Sequence, residues 1–195
     1  MKAIMISIKP KWVAKILNGE KTIEIRKTFP SDYVGWVYIY MCQDHKRDWY
    51  YCKELGCYSK DIHDHNVSFE AFKDLRPLNG KVVARFWCDK VGNVHLVAAS
   101  LRSKRVTDWN CDEIFAFEEH ACLTQEDLDK YLGSVAHCPQ GKAIHIAKVD
   151  PFDKPKEISE FYAYGDKKLK LNYHQEARWL TSLNRAPQSW CYVEV

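Results

Sequence analysis

No apolar run in this 195-residue chain approaches the roughly 20 residues that a membrane-spanning helix requires. The opening "MKAIMISIKP" has one Lys, a short alternating apolar stretch and no small-residue cleavage site, so it is expected to be a buried first strand rather than a signal peptide. Charge of one sign is scarce as well. Twenty-nine Lys and Arg against 26 Asp and Glu leave a net +3, short of the basic excess of a dedicated duplex-DNA binder. No duplex-DNA specificity is therefore expected, and any nucleic-acid role has to come from a local pocket or stripe. A Gly-rich phosphate loop, a Ser-x-x-Lys motif and a His-Glu-x-x-His motif are all missing, so no cofactor is invoked. There are no internal repeats and no low-complexity segments. The eight cysteines (Cys42, Cys52, Cys57, Cys88, Cys111, Cys122, Cys138 and Cys191) come without a secretion signal and read as reduced thiols of a cytoplasmic protein.

What is present is an ordinary globular composition. Hydrophobic residues are 46% and charged residues 28%, with a generous seven Trp and eleven Tyr. A chain of this length buries one sizeable core, and a single domain over 1–195 is expected. Residues 3–8 read as a strand. Pro10 then opens a helix with Trp12, Val13, Ile16 and Leu17 on its apolar face, ended by Asn18-Gly19. Further strands are expected at 21–26, 34–41, 80–91 and 141–149, with a second strand or connector at 93–106 and a terminal strand after Pro187. "LTQEDLDKYLG" predicts a helix with Thr124 as N-cap, Asp127 at the capping-box position and Gly133 as terminator. "DKPKEISEF" reads as a turn and a short helix. About six strands, two to four short helices and no regular β-α-β alternation argue for an α+β fold built on a small mixed barrel.

The pattern dissolves between about 42 and 79, too long for an ordinary loop, so this is an insertion with some structure of its own. A short helix is expected over 68–75. The segment carries Cys42, His45, Cys52, Cys57, His63 and His65, enough nitrogen and sulfur for a zinc ion. None of these pairs has the C-x-x-C spacing, however, and the favoured reading is scattered thiols and surface histidines, with no metal.

The stretch "GEKTIEIRK" at 19–27 poses the functional question. Ile23 and Ile25 alternate with Thr22, Glu24 and Arg26, which describes a half-buried strand with polar groups on one face. That face is either solvated or the floor of a site.

The helix ending in Gly19, followed by Lys21, Thr22, Glu24 and Arg26, matches a G-x-K-[TS]-x-E-x-R run. Together with "GKVVARF" and "GKAIHIAKV", it resembles the ASCH family of the PUA-like superfamily, and especially the small ASCH proteins of bacteria, phages and prophages. The resemblance covers about 1–40, 80–150 and the tail. It implies a PUA-like mixed β-barrel of about five to six strands with flanking short helices. It also implies a cleft beside the first helix that receives RNA or a nucleoside. Lys21 and Arg26 then meet phosphate or base edges, Glu24 accepts from an exocyclic amine, and Lys9 extends a basic rim. Thr22 belongs to the same face, while Trp12, Tyr40 and Trp190 are the candidate stacking surfaces.

Two alternatives stand beside this binding reading. One is a hydrolase of the same fold. A branch of the family removes acetyl from N4-acetylcytidine with a Lys and a Thr of this motif and a later Glu. Lys21 matches the Lys, Glu24 stands where that Thr stands, and the later Glu falls at Glu118 or Glu119. Other members resemble ribonucleases, for which His45, His63, His65 and His145 are acid/base candidates. The other alternative is a phage or host protein-interaction module acting through the 42–79 insertion.

Overall fold

The computed structural model describes residues 2–44, 48–52, 57–59, 77–99, 102–107, 117–133, 141–164, 169–171, 175–177 and 180–194. They group into two units, Met1–Val13 with Trp36–Arg85 and Asp150–Val195, and Ala14–Gly35 with Phe86–Val149.

The first unit is organised by β1 (Lys2–Ile8), whose "AIMISI" run is buried residue by residue. The reason is its place in the sheet. It pairs in parallel with β3 (Gly35–Met41), Ile4 facing Val37, and antiparallel with the last strand, Ala3 facing Val193. A central strand covered on both faces carries no polar alternation. The sheet has seven strands in the order β10-β6-β3-β1-β15-β11-β14, with β6 at Val82–Cys88, β10 at Lys148–Lys156, β11 at Tyr162–Tyr164, β14 at Leu180–Ser182 and β15 at Trp190–Glu194. Ala3, Met5, Tyr38, Val82, Phe161 and Val193 form its core, with the rings of Tyr38 and Phe161 edge to face at 5.1 Å.

α1 (Pro10–Leu17) follows β1, and Gly19, at φ +77°, supplies the left-handed turn that ends it. In the second unit, β2 (Ile23–Arg26), β9 (Gly141–His145), β7 (Val91–Ala99) and β8 (Arg102–Thr107) form a four-stranded sheet in that order. One of its faces meets α2 (Phe117–Ala121) and α3 (Gln125–Leu132) through Ile23, Ile25, Val94, Ala143, Ala121 and Leu128. α3 carries the expected capping box, Thr124 accepting from the Asp127 amide and Asp127 from the Thr124 amide. The Gly133 amide closes the helix on Asp129.

Several elements differ from the sequence reading. The described residues hold fifteen strands in sheets of seven, four, two and two, and no closed barrel is formed among them. The single element expected over 93–106 is a β7–β8 hairpin, Ala99 facing Arg102. The turn expected at "DKPKE" is the far half of β10, after which Ile158–Glu160 make one short helical turn. β10 ends the seven-stranded order, and an edge strand tolerates Pro151 and Pro155 because an outward-facing amide is not needed by the ladder. Within 42–79 there is a β4–β5 hairpin, Tyr50–Cys52 with Cys57–Ser59. The helix expected over 68–75 lies outside the described residues. Among the described residues no helix is long and apolar enough to cross a membrane.

Candidate functional site

The motif strand is not half-buried. All four residues of β2 are buried, the polar pair as fully as the isoleucines. Ile23 and Ile25 face the helices, whereas Glu24 and Arg26 point to the other side of the sheet and pair with each other. The Arg26 guanidinium stands 3.1 Å from one Glu24 carboxylate oxygen, and the Lys21 ammonium 3.5 Å from the other. Lys21, only 2% exposed, also donates to the Ala121 carbonyl at 2.5 Å. Buried charges persist only with such partners, because leaving water costs each of them several kcal/mol.

The backbone leading into β2 explains where Lys21 goes. The amides of Glu20 and Lys21 both return to the Lys15 carbonyl after the Gly19 turn, and the Thr22 amide donates to the His120 carbonyl. Lys21 is thereby held between the end of α1 and the end of α2. Burial pushes its pKa below the ordinary 10.5; Glu24 opposes the shift and Arg26 adds to it. Such an amine gives up its proton more readily than a surface lysine.

Thr22 belongs to a second pair in the same unit. Its hydroxyl lies 2.9 Å from His120 Nδ1. Cys122 follows two residues later with a positive φ of 52° and its thiol 3.4 Å from the Glu20 carbonyl. Neither His120 nor Cys122 stands out in the sequence. They sit about one hundred residues from the motif, in "EEHACLT", and only the pairing of Thr22 with His120 brings them to it.

The remaining expected residues are distributed as follows. Lys9, Trp12, Tyr40 and Trp190 belong to the first unit. Lys9 is exposed, and Trp12 is half-buried under the Lys11 ammonium, 4.5 Å from its ring. Tyr40 faces Ser7 across the sheet, with burial raising its hydroxyl pKa. The Trp190 ring meets Tyr192 edge to face at 5.6 Å. Lys21, Glu24 and Arg26 are brought together in the second unit, and Glu119 is exposed on α2. Of the four candidate acid/base histidines, His145 is described, with Nδ1 2.6 Å from Asp89. His45, His63 and His65 lie outside the described residues, Cys42 is half-buried, and Cys52 faces Cys57 in the β4–β5 register. Among the described residues no group of three or more His, Cys, Asp or Glu is placed to hold a metal ion.

No family model matches the chain, and no curated protein matches it. Among solved structures it is similar to the crystal structure of ASCH from Zymomonas mobilis. The TM-score is 0.51 and the identity 12%, over 98% of this chain and 87% of that one. A tyrosine-to-phenylalanine mutant of that protein matches with a TM-score of 0.47 and 12% identity, over 81% and 77%. The chain thus has the ASCH-domain fold.

Proposed function

We propose that this protein binds RNA or a nucleoside on a PUA-like framework, with the polar face of β2 as the floor of its binding site. One observation carries the reading. Lys21, Glu24 and Arg26 are buried together as one linked cluster of charges, with Glu24 and Arg26 on the sheet face opposite the hydrophobic core. A strand that merely faced solvent would leave these groups hydrated. Burying three charges is costly, and a ligand that uses them gives the arrangement a purpose. Arg26 offers a planar fork of donors to a carbonyl edge or a phosphate, and each Glu24 oxygen keeps a lone pair beyond its ion pair for an exocyclic amine. The ASCH fold supports the same class of ligand.

A hydrolase of the same fold is the second reading, favoured by the lowered pKa of Lys21. An amine whose proton is loosened by burial, next to a carboxylate, is suited to exchange a proton with water or with a leaving group. In that reading Lys21 and Glu24 act on an amide such as that of N4-acetylcytidine.

The deciding experiment incubates the protein with N4-acetylcytidine and with a short single-stranded RNA. Binding is followed by calorimetry and products by chromatography, with Lys21→Met and Arg26→Met alongside and circular dichroism confirming their fold. Binding that weakens in both variants without product supports recognition. Product from substoichiometric protein that vanishes in Lys21→Met supports the hydrolase. Binding unchanged in both folded variants refutes the site.

A further inference from the structure

The strand register carries the site beyond the motif. β9 lies between β2 and β7, with Arg26 facing Lys142 on one side and Asn93 facing Lys142 on the other. Residues directly opposite one another share a sheet face, so Arg26, Lys142 and Asn93 form one row across three strands. The next row on that face is Glu24, Ile144 and Val91. The opposite face holds Ile25, Ala143 and Val94 in the core. Lys142 is therefore on the same face as Glu24 and Arg26, one strand spacing of about 4.8 Å from Arg26.

The Lys142 ammonium is also held in place. It donates to Ser31 Oγ at 2.7 Å and to Asn93 Oδ1 at 2.5 Å. Both partners are neutral. Lys15 and Lys81, by contrast, are bound to the carboxylates of Glu20 and Glu157. Two neutral oxygens orient an ammonium without cancelling its charge, and two bonds leave one of its three donor hydrogens for a ligand. Bracing on two sides also lowers the entropy lost when a long side chain binds.

From this arrangement, and resting on the binding function proposed above, we infer that the ligand is phosphorylated and that Lys142 receives its phosphate. A nucleoside without phosphate leaves this cation unanswered. A nucleotide phosphate, either terminal or within an RNA strand, supplies the oxygens and the opposite charge.

The test measures calorimetric affinities of the wild type, Lys142→Met and Lys142→Arg for cytidine, cytidine 5′-monophosphate and a six-nucleotide single-stranded RNA. The wild type is expected to bind at least one phosphorylated ligand more tightly than cytidine. Lys142→Met should lose about tenfold of that affinity while its affinity for cytidine stays the same. The slope of log affinity for RNA against log salt should fall by about 0.7, one phosphate contact on a single strand. Lys142→Arg should keep most of the affinity, and a purely structural lysine would change none of these discriminations. Tighter binding of RNA alone assigns an internal phosphodiester, and tighter binding of the monophosphate assigns a terminal phosphate. Equal wild-type affinities for all three ligands, or equal weakening of all three in Lys142→Met, overturn the inference and leave the binding site standing. Failure of the wild type to bind any of the three overturns both.

Discussion

The Lys21 ammonium donates to the carbonyl of Ala121, one hundred residues further along the chain, and so ties the motif strand to the end of α2. Lys21 is almost wholly buried, and burial is the largest cause of its lowered pKa. The sign of the pH effect follows. The unfolded chain holds the lysine proton more tightly than the folded one, so the group costs stability while the folded protein must carry the charge. That cost is relieved as pH rises from the depressed folded value toward 10.5. Urea unfolding at pH 7, 8.5 and 10 should show the wild type gaining stability relative to Lys21→Met as pH rises. A constant or falling difference would mean that the lysine is not buried as a titrating group.

Glu24 balances two cations, so its loss should cost more than that of an exposed carboxylate. Removing one partner from a buried ion pair typically costs about 3–5 kcal/mol, and Glu24 is shielded along with Lys21 and Arg26. Glu24→Gln should lower stability by roughly 3 kcal/mol. In a Lys21→Met background the same change should cost at least about 1 kcal/mol less, because one orphaned cation is gone. A double-mutant cycle in urea measures both, and strict additivity would separate Glu24 from Lys21 energetically.

Local signals were legible in the sequence, and long-range ones were not. Thr124, Asp127 and Gly133 specify α3 within a ten-residue window, and the structure has that cap and that terminator. The "AIMISI" run and Pro10 likewise locate β1 and α1. "GEKTIEIR" pointed to the ASCH fold that the structure shares. The burial of Glu24 and Arg26 was not readable, because an alternating strand looks the same whether its polar face meets water or is covered. The partners of the residues just before the strand were equally hidden, since no spacing rule connects Lys21 to Ala121 or Thr22 to His120. "DKPKE", with Pro155, suggested a turn, since tolerance of proline depends on being at a sheet edge, a property of strand order.

Gly141 opens β9 next to Lys142, and its lack of a side chain is required by space rather than by φ. A Cβ there would stand 2.9 Å from the Arg26 carbonyl oxygen and 2.7 Å from a Leu132 methyl. The leucine can turn aside, but the backbone carbonyl belongs to the β2–β9 ladder. Gly141→Ala should cost about 1–3 kcal/mol and lower Tm by about 2–12 °C in a chain of this size. Calorimetry checks it. An unchanged Tm would mean that β2 and β9 can move apart at no cost.

Cys88 and Cys122 make a matched pair of thiols for chemical labelling. Cys88 is fully buried at the end of β6, donating weakly to the Tyr33 and Lys90 carbonyls at 3.6 Å. Burial pushes its pKa up to about 12. At pH 8 roughly one molecule in ten thousand would then hold the reactive thiolate, against about a quarter for an ordinary cysteine. Cys122 is only half-buried. Iodoacetamide at pH 8 should therefore modify Cys122 in the native protein and reach Cys88 only after unfolding in urea, with mass spectrometry of the digested protein giving the order. If Cys88 were labelled in the native state as fast as Cys122, the end of β6 would have to open on that timescale, and the packing that buries this thiol would not be the solution structure.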